Sequence, residues 1–280
     1  EQECDLKGYI RLAQLAATLG ASVSESFHFI TRDGYPRPAS EGIVYDANNE
    51  LDEFVPDQWY QSHALHEDYR ILLSCTGEDW QQWVTSGRSG LVTFVPLIPM
   101  QNQIWGREKL EKLLQERDYN NKPYYPYVTH EFIIDDWDFD NTHWAHWKLR
   151  QKEDGDYWGR LFQRVLDQAK DYWANAISAK VSQIATTGTK RTITYESVLP
   201  SWIVKFRSLP CLQDTRGHYR QPAELLCRTP ATEPLLDVEP FVRAEIDSET
   251  NRQLLVMLGV RDTPTGPRRL LDRLRALATV

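Results

Sequence analysis

Apolar positions along the chain fall into short blocks whose spacing changes from one block to the next. From Tyr9 to Leu19 they recur at Ile10, Leu12, Leu15, Ala16 and Leu19, a helical period that Gly20 closes. Asp57 to Leu73 reads as helical in pieces, and Glu78 to Val84 as a short helix with Trp80, Trp83 and Val84 on one side. Leu91 to Ile98 is an apolar strand interrupted by Pro96, and Leu110, Leu113 and Leu114 mark an amphipathic helix from about Arg107 to Asp118. The strongest period runs through Trp158, Leu161, Phe162, Val165, Leu166, Ala169, Tyr172, Trp173, Ala176 and Ile177. It predicts one buried-faced helix from about Asp156 to Lys180, roughly 37 Å long at 1.5 Å per residue.

Strand signals lie between these helices. His130 to Ile134 and the alternating Thr192 to Glu196 read as strands, with Ala185 to Arg191 as a loop. Ser201 to Leu209 reads as an apolar strand; Asp214 to Gly217 supply turn chemistry, and Pro222 opens a short helical segment through Leu226. Two C-terminal helices follow, joined by Gly259 to Gly266, the last with Leu270, Leu271, Leu274 and Leu277 inward. Helices and strands alternate irregularly, which predicts an α+β fold of helices and short antiparallel hairpins rather than a doubly wound parallel sheet. The turn-rich link Tyr119 to Tyr127 suggests a division into 1–120 and 121–280, although the two could form one continuous domain.

The chain also repeats itself. Asp33, Gly34, Tyr35, Arg37, Pro38 and Ala39 are ordered much as Arg216, Gly217, Tyr219, Arg220, Pro222 and Ala223 are. Glu53 to Pro56, the helix Glu78 to Val84 and Gly87 follow the first set; Asp237 to Pro240, the helix Ser248 to Leu258 and Gly259 follow the second. Gly34 and Gly217 are expected in equivalent tight turns, with Pro38 and Pro222 in equivalent positions.

Leu209-Pro210-Cys211, Gly217 to Glu224, and Leu258-Gly259-Val260 with Thr263-Pro264 carry a likeness beyond the chain itself. This order resembles repeating segments downstream of the Hsp90-like ATPase region in sacsin-like and NO VEIN-like large proteins, over about half of the chain. The resemblance implies a non-catalytic module that contacts other domains of its parent chain or partner proteins, in a chaperone-like or anti-phage defence setting. The nucleotide-holding motifs of that ATPase are absent here, so no cofactor is expected. Because the chain begins with Glu1, it is read as a piece of something longer.

Composition changes the picture in four places. Ten Trp and thirteen Tyr predict an aromatic core. A formal net charge of −8 argues against a surface built to hold nucleic-acid phosphates, though it leaves a local basic patch open. No apolar run reaches the ~20 residues of a membrane span and no signal-peptide pattern is present, so a soluble, cytoplasmic protein without membrane contact is expected. Cys4, Cys75, Cys211 and Cys227 form no disulfide framework, and Cys211, His218 and Cys227 fit no common zinc spacing, so packed thiols are expected.

Candidate chemistry concentrates in His130 to His146. Asp136, Asp138 and Asp140 could begin a hard-cation site, and His143 and His146 share a helical face. The competing reading places Trp137 and Phe139 inward on an edge segment with the carboxylates in water. A metal-dependent hydrolase or nuclease is therefore the alternative to an interaction module. Thr186 to Arg191 lacks the second Gly of a Walker loop, and Gly87-Arg88-Ser89-Gly90 is one residue short of a nucleophile elbow; both read as loops.

Overall fold

The computed structural model describes residues 5–119, 131–168, 170–183, 193–237 and 239–264. In chain order its elements are α1 (Leu6–Thr18), β1 (His28–Ile30), β2 (Pro36–Pro38), α2 (Asp57–His63), α3 (Arg70–Thr85), β3 (Ile98–Trp105), α4 (Arg107–Glu116), β4 (Glu131–Asp138), α5 (Asn141–Arg150), α6 (Tyr157–Leu166), α7 (Lys170–Ala174), β5 (Ala179–Gln183), β6 (Ile193–Val198), α8 (Ser201–Arg207), β7 (Leu212–Gln213), β8 (Tyr219–Arg220) and α9 (Glu249–Met257). All strand pairs within the three sheets are antiparallel, so the fold is α+β. The chain forms two compact units, 1–96 with 139–153 and 97–138 with 154–280. It thus crosses between units three times, rather than once near residue 120.

In the first unit α1 and α3 close over the β1–β2 hairpin, burying Ala13, Ala17, Phe29, Ile30, Tyr69, Trp80 and Trp83. The Trp83 indole donates to the Ala21 carbonyl at 2.6 Å, so a ring that fills the core leaves no unpaired donor there. Helix α5 adds Trp147, fully buried, whose indole donates to the Phe54 carbonyl at 2.6 Å.

The second unit is built on the sheet β3-β4-β5-β6. Leu110 and Leu114 of α4 pack with Phe132, Ile134, Ala179, Val181 and Val198. Strand β3 escapes the sequence pattern because it is a polar edge strand; Pro99 is tolerated there, and Gln101 donates across to Asp135 at 2.8 Å. The expected strand 91–98 reduces to a single bridge at Val92.

Two long-range expectations fail. The helix expected from 156 to 180 is α6, α7 and then strand β5. At the end of α6, Gln163 donates to the Asp167 side chain (2.7 Å) and Gln168 to the Arg164 carbonyl (3.1 Å), side-chain bonds that finish the helix. Trp158, Phe162, Val165 and Trp173 are buried as the stripe requires, but Ala179 and Val181 are claimed by pairing with β6. Ser201 to Arg207, expected as a strand, is α8. Pro200 sits extended before it, Trp202, Ile203 and Phe206 form a buried helical stripe, and the Phe206 ring packs on Trp158, Phe162 and Trp202. A short apolar run suits either period, and here the aromatic partners choose the helix.

The internal repeat is present in the backbone. Gly34 and Gly217 take φ of +83° and +85°, and each amide closes its turn, Gly34 on Thr31 (2.9 Å) and Gly217 on Asp214 (3.0 Å). Thr31 N–H bonds Tyr35 where Asp214 N–H bonds His218; Arg32 bonds Ala64 where Thr215 bonds Phe241; His66 bonds Ile30 where Arg243 bonds Gln213. Val44 lies parallel to Ala64 and Val92, as Leu226 lies parallel to Phe241 and Arg261. The helices α3 and α9 both end on left-handed glycines, Gly87 and Gly259.

The prolines are a correction. Pro38 ends β2 opposite His28, whereas Pro222 is the first residue of a one-turn helix; Gln221 is the equivalent of Pro38, with φ, ψ of −68°, 141° against −68°, 148°. Pro56 caps α2, an insertion without counterpart, while the Pro240 carbonyl accepts where that of His63 does. The expected last helix, 270–277, and the link 120–127 lie outside the described residues.

Gly159 sits in α6 against the Tyr219 ring of β8, where an added Cβ would fall 1.9 Å from a ring carbon. Gly159→Ala should therefore lose about 1 to 3 kcal/mol to overpacking, against a gain of up to about 1 kcal/mol in helix propensity. Denaturant melts check the net loss, and Tyr219→Ala in the Gly159→Ala background should remove the overpacking part.

Candidate functional site

Strand β4 alternates with Phe132, Ile134, Asp136 and Asp138 on the buried side and Asp135 exposed. This corrects the edge-strand expectation for two carboxylates: β4 lies between β3 and β5, and Asp136 and Asp138 point away from water, while Phe139 is inward as expected and Asp140 is exposed. Asp136, 2% exposed, accepts from both Nη atoms of Arg117 (3.1 and 2.7 Å), from Ser201 N–H (2.9 Å) and from Ser201 Oγ (2.6 Å). Arg117 also donates to the Leu199 carbonyl at 2.6 Å. Burial pushes the Asp136 carboxyl pKa up, but the bonds from Arg117 and Ser201 outweigh it and hold the group below the usual carboxylate range. Such a carboxylate is a poor proton acceptor near neutrality, so Ser201 gains no general base from it. Asp138 is likewise engaged, by Lys205 Nζ at 2.5 Å.

The other candidates belong to the first unit and have different roles. Asp140 caps α5, accepting from Thr142 N–H at 2.7 Å and Thr142 Oγ1 at 2.6 Å. His143 is buried at 2% exposure, edge-on to Trp59 at 4.9 Å, while Trp59 stacks on His63 at 4.4 Å. Neither His143 ring nitrogen has a hydrogen-bond partner among the described residues. Burial lowers its pKa to about 4; Asp140 pulls it upward, and His63 and His146 push it further down. His146 is also lowered, chiefly by burial.

The five residues Asp136, Asp138, Asp140, His143 and His146 are thus divided between the two units, the carboxylates held in ion pairs and a helix cap and His143 in an aromatic cluster. Among the described residues, no group of three or more His, Cys, Asp or Glu is arranged to hold a metal ion. Arg117, Ser201 and Lys205, which engage the carboxylates, escaped the sequence reading because they lie 19 to 67 positions away from their partners, with no local signal. Ser89 is fully buried between the turn glycines Gly87 and Gly90, with its Oγ accepting from Leu91 N–H at 3.1 Å, which removes it as a nucleophile. Cys211 and Cys227 are buried free thiols with pKa values pushed up by burial, that of Cys227 to about 12, while His218 is exposed. His130 and 186–191 lie outside the described residues. No family model, no characterised protein and no solved structure matches the chain.

Asp136→Asn should cost about 3 to 5 kcal/mol in a urea melt, because Arg117 is left buried without its counter-charge. An Asp136→Ala, Asp138→Ala pair would carry the same penalty, so loss of activity in it would report folding rather than chemistry. The second expectation concerns pH. The unfolded chain binds a proton at His143 near the ordinary value of about 6.5 and the folded one near 4, so the folded state is favoured above about 6.5 and loses stability as pH falls toward 4. The loss at about pH 4 is roughly 3 kcal/mol. Melts at about pH 7 and about pH 5 should show about 2 kcal/mol of this loss, and His143→Phe should reduce the difference, with His63 and His146, also lowered by burial, supplying the remainder.

Proposed function

We propose that this chain is a non-catalytic interaction module of a large multidomain protein of the sacsin-like or NO VEIN-like kind, with an Hsp90-like ATPase elsewhere in the parent. The carrying observation is the duplicated hairpin-helix unit, in which the same backbone bonds are made twice with different side chains. Repetition of this kind suits a scaffold that presents surfaces. The carboxylates and histidines that could have served a hydrolase are engaged in ion pairs, a helix cap and an aromatic cluster.

A surface for contact is available on α1 and its C-cap residue. Leu12, Leu15 and the cap Leu19, spaced i, i+3, i+7, are 51%, 56% and 71% exposed. Rows of this spacing serve as anchors when one apolar face seats on another. No helix among the described residues is long and apolar enough to cross a membrane.

The purified chain should show no ATPase activity and no Mg²⁺- or Mn²⁺-dependent nuclease activity above a mock preparation. Metal-dependent cleavage that copurifies with the chain and disappears in Asp140→Ala, a change that removes only a helix cap worth about 1 kcal/mol, would replace this reading with a hydrolase.

A further inference from the structure

The first copy of the repeated unit carries a pair of cations that the second copy does without. Arg32 Nη2 donates to Asn49 Oδ1 at 2.8 Å, and Arg70 Nη2 donates to the same oxygen. Two guanidinium groups therefore share one neutral acceptor. Neither forms an ion pair with a carboxylate among the described residues, although like charges held this close repel one another. The Arg32 guanidinium lies over the Tyr60 ring, 4.6 Å from its centroid, with its Nε buried and unpartnered among the described residues. Asp46, the acid on this wall, is committed elsewhere: it accepts from Tyr60 Oη (2.8 Å) and from the backbone of Glu50 (3.1 Å) and Leu51 (3.0 Å).

The second copy of the repeat is built without this arrangement, and without α2, which carries Tyr60. His66 and Arg243 are equivalent, since each bonds its hairpin at Ile30 or Gln213. Four residues further on, Arg70 corresponds to Asp247, and Arg32 corresponds to Thr215. Asp247 pairs with Arg252 at 2.9 Å and accepts from Arg228 N–H at 2.6 Å, so the second copy completes the same turn with an anion in place of a cation. The second copy therefore has no counterpart of the two arginines, which stand together in a chain whose net charge is negative.

Tyr45, Tyr60 and His66 line the cleft beside the arginines, together with Glu67. Only about 10 Å³ is free inside it, room for one oxygen atom, so a ligand would sit at the mouth with one oxygen inserted. We propose that Arg32 and Arg70 bind a phosphate group, free or as a monoester, whose dianion displaces the Asn49 amide from between the guanidiniums. A phosphate matches two positive charges with two negative ones and gives each arginine its own oxygen, which the single amide oxygen cannot do. Glu67 opposes the anion, and the expected dissociation constant is on the order of 1 mM.

The test is a titration of the full chain, followed by amide NMR shifts at constant ionic strength, with inorganic phosphate in one arm and O-phosphoserine in the other. Saturable binding is expected, weakened about tenfold or more in Arg32→Gln and in Arg70→Gln. Equal affinity in the two arms identifies free phosphate as sufficient, and tighter binding of O-phosphoserine identifies a phosphorylated side chain as the source; both support the site. Asn49 takes a left-handed φ of 53°, which Asp also tolerates. Asn49→Asp should therefore place a carboxylate between the arginines, abolish phosphate binding and raise the melting temperature. No saturable binding in either arm, binding that survives both arginine substitutions, or a lowered melting temperature in Asn49→Asp would each overturn the proposal.

Discussion

Each copy of the repeat is drawn together around one extended residue whose backbone is bonded on both sides. In the first unit Val44 N–H meets the His63 carbonyl (2.8 Å) and its own carbonyl accepts from Leu65 (2.9 Å), while its neighbours Ile43 and Tyr45 exchange bonds with Val92. In the second, Leu226 does the same with Pro240 and Val242, and Leu225 and Cys227 exchange bonds with Arg261. Val44 and Leu226 are buried, as are Ile43, Leu225 and Cys227 beside them. Backbone groups removed from water must be paired, so the hairpin, the segment before the helix and the segment after it are drawn together at this point.

The side chains around this common backbone are not copied. At the first hairpin two residues hold the turn together, since Thr31 and Asp33 bond each other at 2.6 Å and Asp33 pairs with Arg37 at 2.8 Å. At the second, the buried Asp214 alone accepts from Arg216 and His218 N–H and pairs with Arg220 at 2.6 Å. The arginine keeps its place while its carboxylate moves by two positions. Both solutions satisfy the turn, which explains why the likeness between copies survives in glycines and arginines and fades elsewhere.

In the second unit the costly step is the burial of Asp136 and Arg117. Bidentate geometry, Ser201 and the Leu199 carbonyl meet their hydrogen-bonding needs, joining β4 to the end of α4 and the start of α8. Such a pair fixes which segments meet more than it adds net stability.

Local pattern was enough to place the helices α1, α4 and α9, the last capped by Ser248, and to give the α+β class. It also revealed the repeat, because the left-handed turns at Gly34 and Gly217 select glycine locally and leave a visible mark. The tertiary structure decided what local periodicity leaves degenerate. A continuous stripe from Trp158 to Ile177 fits a helix, yet strand pairing takes its end; Trp202 to Phe206 fits a strand, yet aromatic neighbours take it as a helix. The candidate site was legible as a cluster of acids and histidines but not in its meaning. Whether a carboxylate faces water, a metal or a guanidinium depends on residues as distant as Arg117 and Ser201, and a carboxylate's pattern in sequence is the same in all three cases.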